Sequence, residues 1–405
     1  MHHVASSSRR PVPRGIRRDG PAVLSYGFRP FFLGAGLYAI LAMGLWLGAL
    51  GGLVSVGGAY GPIAWHAHEM LFGYATAALA GFLLTTIPNW TGRFPLSGGP
   101  LLGLFLLWGA GRIAMAAPDL LGQSVSAAID TAFLGVLGAV SLREIVAGRN
   151  WRNLKVLLGI GGLTAANAAF HFLTITGEDI GLASRMAVSI YLLLIALIGG
   201  RIVPSFTRNW LARAGRTDFS KPFDLYDRIS ISALALALMV WTVAPEGQLT
   251  AGLAALAGGL GLGRLARWQG WRTLEEPMLL MLHIGFGFVS LGLLAASLAA
   301  MGLISLPSAV HVMTVGGIGG MTLAVMTRAT LGHTGRRTTA DVPTTMAYLS
   351  LITAPVVRPF AELLPQHYHT LLTLSAGGWL IAFGLFVFRY GPMLVRQRSR
   401  GAALA

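Results

Sequence analysis

Two imidazoles and a carboxylate stand together in Trp65-His66-Ala67-His68-Glu69-Met70, at the head of a stretch that is otherwise apolar and small. The stretch is about twenty residues long, the length that crosses the hydrocarbon core of a bilayer. At that depth each ionisable group costs roughly 2.5 to 3.5 kcal/mol, and such groups are normally held by a cavity, a partner or a cofactor. Imidazoles in this setting are suited to ligating a metal or a haem iron. On a helix His66 and Glu69 share a face with Gly73, Ala77 and Ala80, while His68 points roughly the opposite way, so the two histidines should serve different neighbours.

The elements that must position them are membrane helices. The chain has 405 residues, 54% of them hydrophobic and only 11% charged, which exceeds the apolar fraction of soluble domains and fits an all-α polytopic bundle. Spanning segments are expected near residues 30–53, 62–88, 98–117, 121–145, 153–176, 183–205, 225–245, 248–266, 277–302, 306–328, 341–361 and 367–391, twelve helices in all. They form one transmembrane domain over 28–393, between a basic tail at 1–27 and a short basic tail at 394–405. The net charge of +15 does not imply nucleic acid, because the basic residues lie between apolar segments. With both termini in the cytoplasm, all but three of the 30 Lys and Arg residues fall at or near the inner side, which fixes the orientation by the positive-inside rule. Arg9-Arg10 and Arg17-Arg18 are followed by no convincing cleavage site, so an uncleaved tail is expected.

In this topology His66, His68, His171, His311, His367 and His369 share one level near the outer side. His283 lies near the inner end of the ninth segment, and His333 falls in an inner loop. A single histidine at a helix end is more often interfacial than a ligand. Several at one depth favour ligation, and the absence of cysteine excludes thiolate sites and covalent haem attachment. Thr164, Asn167, His171 and Thr174 form one polar stripe on the fifth segment, equally readable as helix-to-helix hydrogen bonding or as part of a site. Beyond His311 and Thr314, residues Gly316, Gly317, Gly319 and Gly320 permit close approach of a backbone or a flat macrocycle. The three outward cations, Arg112, Arg185 and Arg358, would suit haem propionates. Pairing with local acids is the competing explanation, Glu362 for Arg358 and Glu178 or Asp179 for Arg185.

A repeat is also visible. Thr207-Arg208 recurs as Thr327-Arg328, Ile198-Gly199-Gly200 as Ile318-Gly319-Gly320, and Asn89-Trp90 as Asn209-Trp210, all at an offset of 120. The second, sixth and tenth segments are therefore equivalent, as in three joined four-helix units.

At Trp65-His66-Ala67-His68-Glu69-Met70, at Pro88-Asn89-Trp90-Thr91-Gly92 and at Arg328-Ala329-Thr330-Leu331-Gly332-His333-Thr334-Gly335-Arg336, the chain resembles the NnrS family. The likeness begins at Phe28-Arg29-Pro30-Phe31-Phe32 and runs through the last segment. It implies a twelve-helix bacterial inner-membrane protein that binds haem and copper and takes part in the response to nitric oxide. Family histidine motifs map onto His66, His68, His171, His283, His311 and His333. The layout is also similar in kind to the catalytic subunit of haem–copper oxidases, although the sixth and seventh segments carry no histidine and Tyr191 stands where the repeat places the counterpart of His311.

The leading expectation is a non-covalent, b-type haem held by His311 and one histidine of the second segment. The 120-residue register places Leu71 opposite His311 and favours His68, one α-turn away; the small-residue face favours His66, but the register relates two whole helices and makes His68 the first choice. Glu69 and Asn167 would orient a ligand from behind. Copper would need another imidazole set, such as His66 with His367 or His369. Membrane lipids and a small gas such as nitric oxide are the expected partners. Two other functions use the same residues: a haem-dependent oxidoreductase acting on nitric oxide or oxygen, and a transporter with a polar midmembrane path.

Overall fold

The computed structural model describes residues 20–219 and 221–397, so the two basic tails lie mostly outside the described residues. Among those described, every regular element is helical. Eleven helices are long and apolar enough to cross a membrane: α1 (Phe28–Leu50), α2 (Gly58–Thr91), α3 (Gly99–Ala116), α4 (Gln123–Ala147), α5 (Trp151–Thr176), α6 (Gly181–Arg213), α7 (Leu225–Val243), α8 (Gln248–Arg267), α9 (Pro277–Ala300), α10 (Leu306–His333) and α12 (Pro365–Val395). Between the last two lies α11 (Val342–Val357), only 16 residues long. It is capped by the Asp341 side chain on the Thr344 amide and stops short of Pro359, which has no amide to continue the ladder. The chain is a multi-pass helical membrane bundle.

The C-terminal end of the tenth helix differs from expectation. His333 is the last residue of α10 rather than part of a loop. Nothing between Met326 and Thr334 breaks a helix, and the turn comes only at Gly335, whose φ of 76° suits a residue without Cβ.

Large apolar side chains such as Leu41, Ile113, Leu158 and Phe388 face outward, as a lipid-facing surface requires. Inside, the driving force is close packing rather than exclusion of water. The helices are enclosed unequally: 78% of the apolar window of α2 is buried, against 33% for α4, α7 and α8. Small residues permit the tightest approaches. A Cβ on Gly285 of α9 would come within 3.0 Å of the Met321 backbone nitrogen and 3.1 Å of the Gly320 carbonyl carbon on α10. The glycines after His311 thus admit protein, with Gly316 facing Phe288 and Gly319 facing Trp379. The ring of helices closes where α12 packs along α1.

The repeat has a structural counterpart. Each of α2, α6 and α10 contains a π-helical segment, at Glu69–Tyr74, Ile195–Gly199 and Val312–Gly319. A π turn lengthens the hydrogen-bond step to five residues and disturbs the regular pairing of carbonyls. In α2 the exposed acceptors are taken by side chains: Tyr191 donates its hydroxyl to the Leu71 carbonyl at 2.8 Å, and the Trp108 indole donates to the Gly73 carbonyl at 2.9 Å.

Candidate functional site

His66 and His68 end in different places, as their helical phase requires. His68 enters a closed network built by the first five helices. Its Nδ1 lies 2.7 Å from Glu69 Oε1, and its Nε2 lies 3.0 Å from Asn167 Oδ1 and 3.2 Å from Asp130 Oδ2. Asp130 Oδ2 also accepts from Asn167 Nδ2 at 2.7 Å and meets His171 Nε2 at 3.1 Å. The other nitrogen of His171 pairs with the Tyr60 hydroxyl at 2.9 Å. Arg112 bridges the carboxylates, donating to Glu69 Oε2 at 2.5 Å and to Asp130 Oδ1, while the Tyr38 hydroxyl also donates to Glu69. All of these groups but Tyr60 and Tyr38 carry a charge or an imidazole or amide, and the charged ones are buried.

This arrangement has two chemical consequences. Glu69 and Asp130 carry two negative charges against the single positive charge of Arg112, and an uncompensated buried charge is costly. His68 also faces acceptors through both ring nitrogens, so a neutral ring would turn a lone pair toward oxygen. One further positive charge resolves both, either a second proton on His68 or a metal ion in its place. The geometry suits an ion: one atom each from His68, Asp130 and His171 lies within 4.8 Å of the others. Two imidazoles and a carboxylate form a recognised donor set for first-row metals. Glu69 and Tyr60 then hold the far nitrogens and fix the rings, as partners behind metal-bound histidines do.

His66 lies on the opposite side of α2, in a cavity of about 180 Å³ that it shares with His311, Arg185 and Arg358. Its ring stacks on Trp46 at 4.5 Å and 15°. Its Nδ1 is buried without a hydrogen-bond partner, as is Arg358 Nε. His311 donates Nδ1–H to the Pro307 carbonyl at 2.7 Å, which leaves its Nε2 with a free lone pair. Arg185 Nε donates to the Thr242 carbonyl at 3.0 Å, and Arg358 pairs with Glu362 at 3.1 Å. Two imidazoles with available nitrogens and two guanidinium groups match a haem iron and its propionates. The space is below the roughly 300–1,000 Å³ of ordinary ligand sites, so a macrocycle would need the flexible Met43 and Met70 to move aside.

The structure separates the other sequence-based expectations. Arg112 belongs with Glu69 and Asp130, not with His311, so its suggested place beside propionates gives way to carboxylate pairing. The step from Leu71 to His68 assumed α-helical spacing. Leu71 does line the cavity with His311, and so does His66, whereas His68 does not. His283 is buried, with Nδ1–H donated to the Leu279 carbonyl at 2.9 Å and Nε2 at 3.3 Å from Thr207 Oγ1, a satisfied core histidine. His367 and His369 are exposed and do not line the His66 cavity, so His66 is not assembled with either. His333 lies in another cavity and packs its ring against Tyr26 and Phe28. Asp130, Tyr38 and Tyr60 were not anticipated. Asp130 had a legible signal, a lone acid in the apolar run Ala127-Ala128-Ile129-Asp130-Thr131-Ala132. The tyrosines had none.

No curated protein matches the chain. The family profile described as NnrS protein matches residues 22–398. With nearly the whole chain covered, and with the histidine motif of α2 opening into both constellations, the protein belongs to the NnrS family.

Proposed function

We propose that this chain is a haem- and copper-binding protein of the bacterial inner membrane, with both termini in the cytoplasm, that acts in the response to nitric oxide. Membership of the NnrS family supports that involvement. One observation carries the assignment of sites: histidines two residues apart on α2 feed two separate constellations, His66 with His311 in the cavity and His68 with His171 and Asp130 in the closed network. Haem would be held by His66 and His311, and a copper or similar first-row ion by His68, His171 and Asp130.

Haem bound there supplies an iron for electron transfer or for a gaseous ligand. The chain's own residues prepare its place. The Pro307 carbonyl fixes the His311 ring, Trp46 orients His66 by stacking, and Arg185 and Arg358 offer positive charge to anionic groups. Two imidazoles in one cavity favour a bis-histidine carrier or sensor over a gas-reducing enzyme, because a bound gas requires an open iron position.

Absorption spectra of the purified protein, oxidised, reduced and exposed to nitric oxide, together with metal analysis, test this reading. With no cysteine in the chain, haem should extract fully into acid acetone. His66→Ala and His311→Ala should lose haem or its low-spin spectrum. His68→Ala and Asp130→Asn should keep haem and lose the second metal, and His333→Ala should keep both. Each variant must first be shown to insert and accumulate. Unchanged haem in both cavity variants would end the assignment of that site, and unchanged metal in both network variants would end the other.

A further inference from the structure

A second cavity lies at the opposite end of the bundle from His66 and His311. It measures about 420 Å³ and opens between α2, α5, α6 and α10. Four cations line it: Arg152 and Lys155 from the first turns of α5, Arg201 from α6 and Arg328 from α10. No carboxylate lines it. Its floor is apolar, with Phe82, Ile198, Ile202 and Leu282 among the lining residues.

Elsewhere at this end of the bundle several basic side chains are matched with acids, although others, such as Arg336 with its buried and unpartnered Nη1, are not. Arg93 pairs with Glu144, Arg264 with Asp227, Arg267 with Asp224, Arg272 with Asp218 and Arg389 with Asp341. Among the described residues the side chains of Arg152, Lys155 and Arg201 have no hydrogen bond or ion pair. Arg328 lies over the Phe206 ring at 4.3 Å. The acid nearest in influence to it is Glu276, whose carboxylate already accepts from the Met278 and Ala340 amides. The positive charge of Arg152, Lys155 and Arg201 is thus gathered over one apolar cavity with no ion pair among the described residues.

We infer that this cavity binds an anionic phospholipid of the surrounding membrane, its phosphate among Arg152, Lys155 and Arg201 and an acyl chain on the apolar floor. Guanidinium groups bind phosphate through paired hydrogen bonds, and basic pockets between membrane helices commonly hold anionic headgroups. A free hydrated phosphate would satisfy the cations but leave the floor unfilled. A neutral lipid would fill the floor and leave the cations unmatched.

The test compares the wild-type protein with the triple variant Arg152→Gln, Lys155→Gln, Arg201→Gln and with a charge-conserving variant, Arg152→Lys, Lys155→Arg, Arg201→Lys. Arg328 is left in place because it packs on Phe206. Each is washed in detergent, and retained lipid is measured by mass spectrometry. Melting is then followed with added phosphatidylglycerol, phosphatidylcholine or inorganic phosphate. The wild type and the charge-conserving variant should retain anionic phospholipid and show an upward melting shift with phosphatidylglycerol alone. The triple variant should lose both, with its haem spectrum intact. Equal retention by the wild type and the triple variant would overturn the inference, as would an equal melting shift with inorganic phosphate. If the triple variant lost its haem as well, this cavity would be the haem site, and both this inference and the placement of haem at His66 and His311 would fall.

Discussion

Arg112 bridges Glu69 and Asp130 and offsets their mutual repulsion in a space closed to solvent. Arg112→Met should leave both carboxylates without their cation and destabilise the bundle by about 3–5 kcal/mol, the usual result of breaking a buried pair from one side. Arg112→Met with Glu69→Gln should recover part of that loss, because the second change removes one of the stranded charges. Thermal unfolding in detergent measures both, and additive losses would show that the two residues do not act through each other. At this scale the sequence was legible where periodicity carries the information. The opposite faces of His66 and His68 followed from helical phase alone. Asp130 escaped because a lone acid has no partner at a recognisable spacing, and its contacts with Arg112, Asn167 and His171 come from two other helices. The assignment of Arg112 to propionates missed for the same reason.

Between helices, the information lies in small residues. Gly285 meets the backbone of α10 rather than a flexible side chain, so Gly285→Val can be accommodated only by parting α9 from α10. A loss of about 1–3 kcal/mol is expected, as for other overpacked interiors, visible as a lower melting temperature with α-helical content unchanged. A variant that melted with the wild type would show that this approach is looser than described. The spans themselves could be read from hydropathy and charge. The 120-residue offset likewise pointed to α2, α6 and α10, which share their π segments. The π turns themselves were hidden, since their backbone is supported by distant donors such as Tyr191 and Trp108. Of the two histidines, His66 rather than His68 lines the cavity with Leu71 and His311.

For the molecule as a whole, the distribution of basic residues predicts the orientation in the membrane. Reporters fused after Arg216 should be active in the cytoplasm and one fused after Gly247 on the outer side; the reverse pattern would invert every statement about inner and outer ends. The bundle also divides unequally between its two constellations. Every side chain of the closed network, from Tyr38 to His171, belongs to the stretch from α1 to α5, whereas the His66 cavity draws on residues as late as Trp379. Proteins are made from the N-terminus, and early segments organise while later ones are still being synthesised. A ribosome that has released α5 has therefore delivered every group of the His68 network. The other chamber stays without its far wall until α12 emerges, so the order of synthesis sets the order in which the two constellations come into existence, the closed network first.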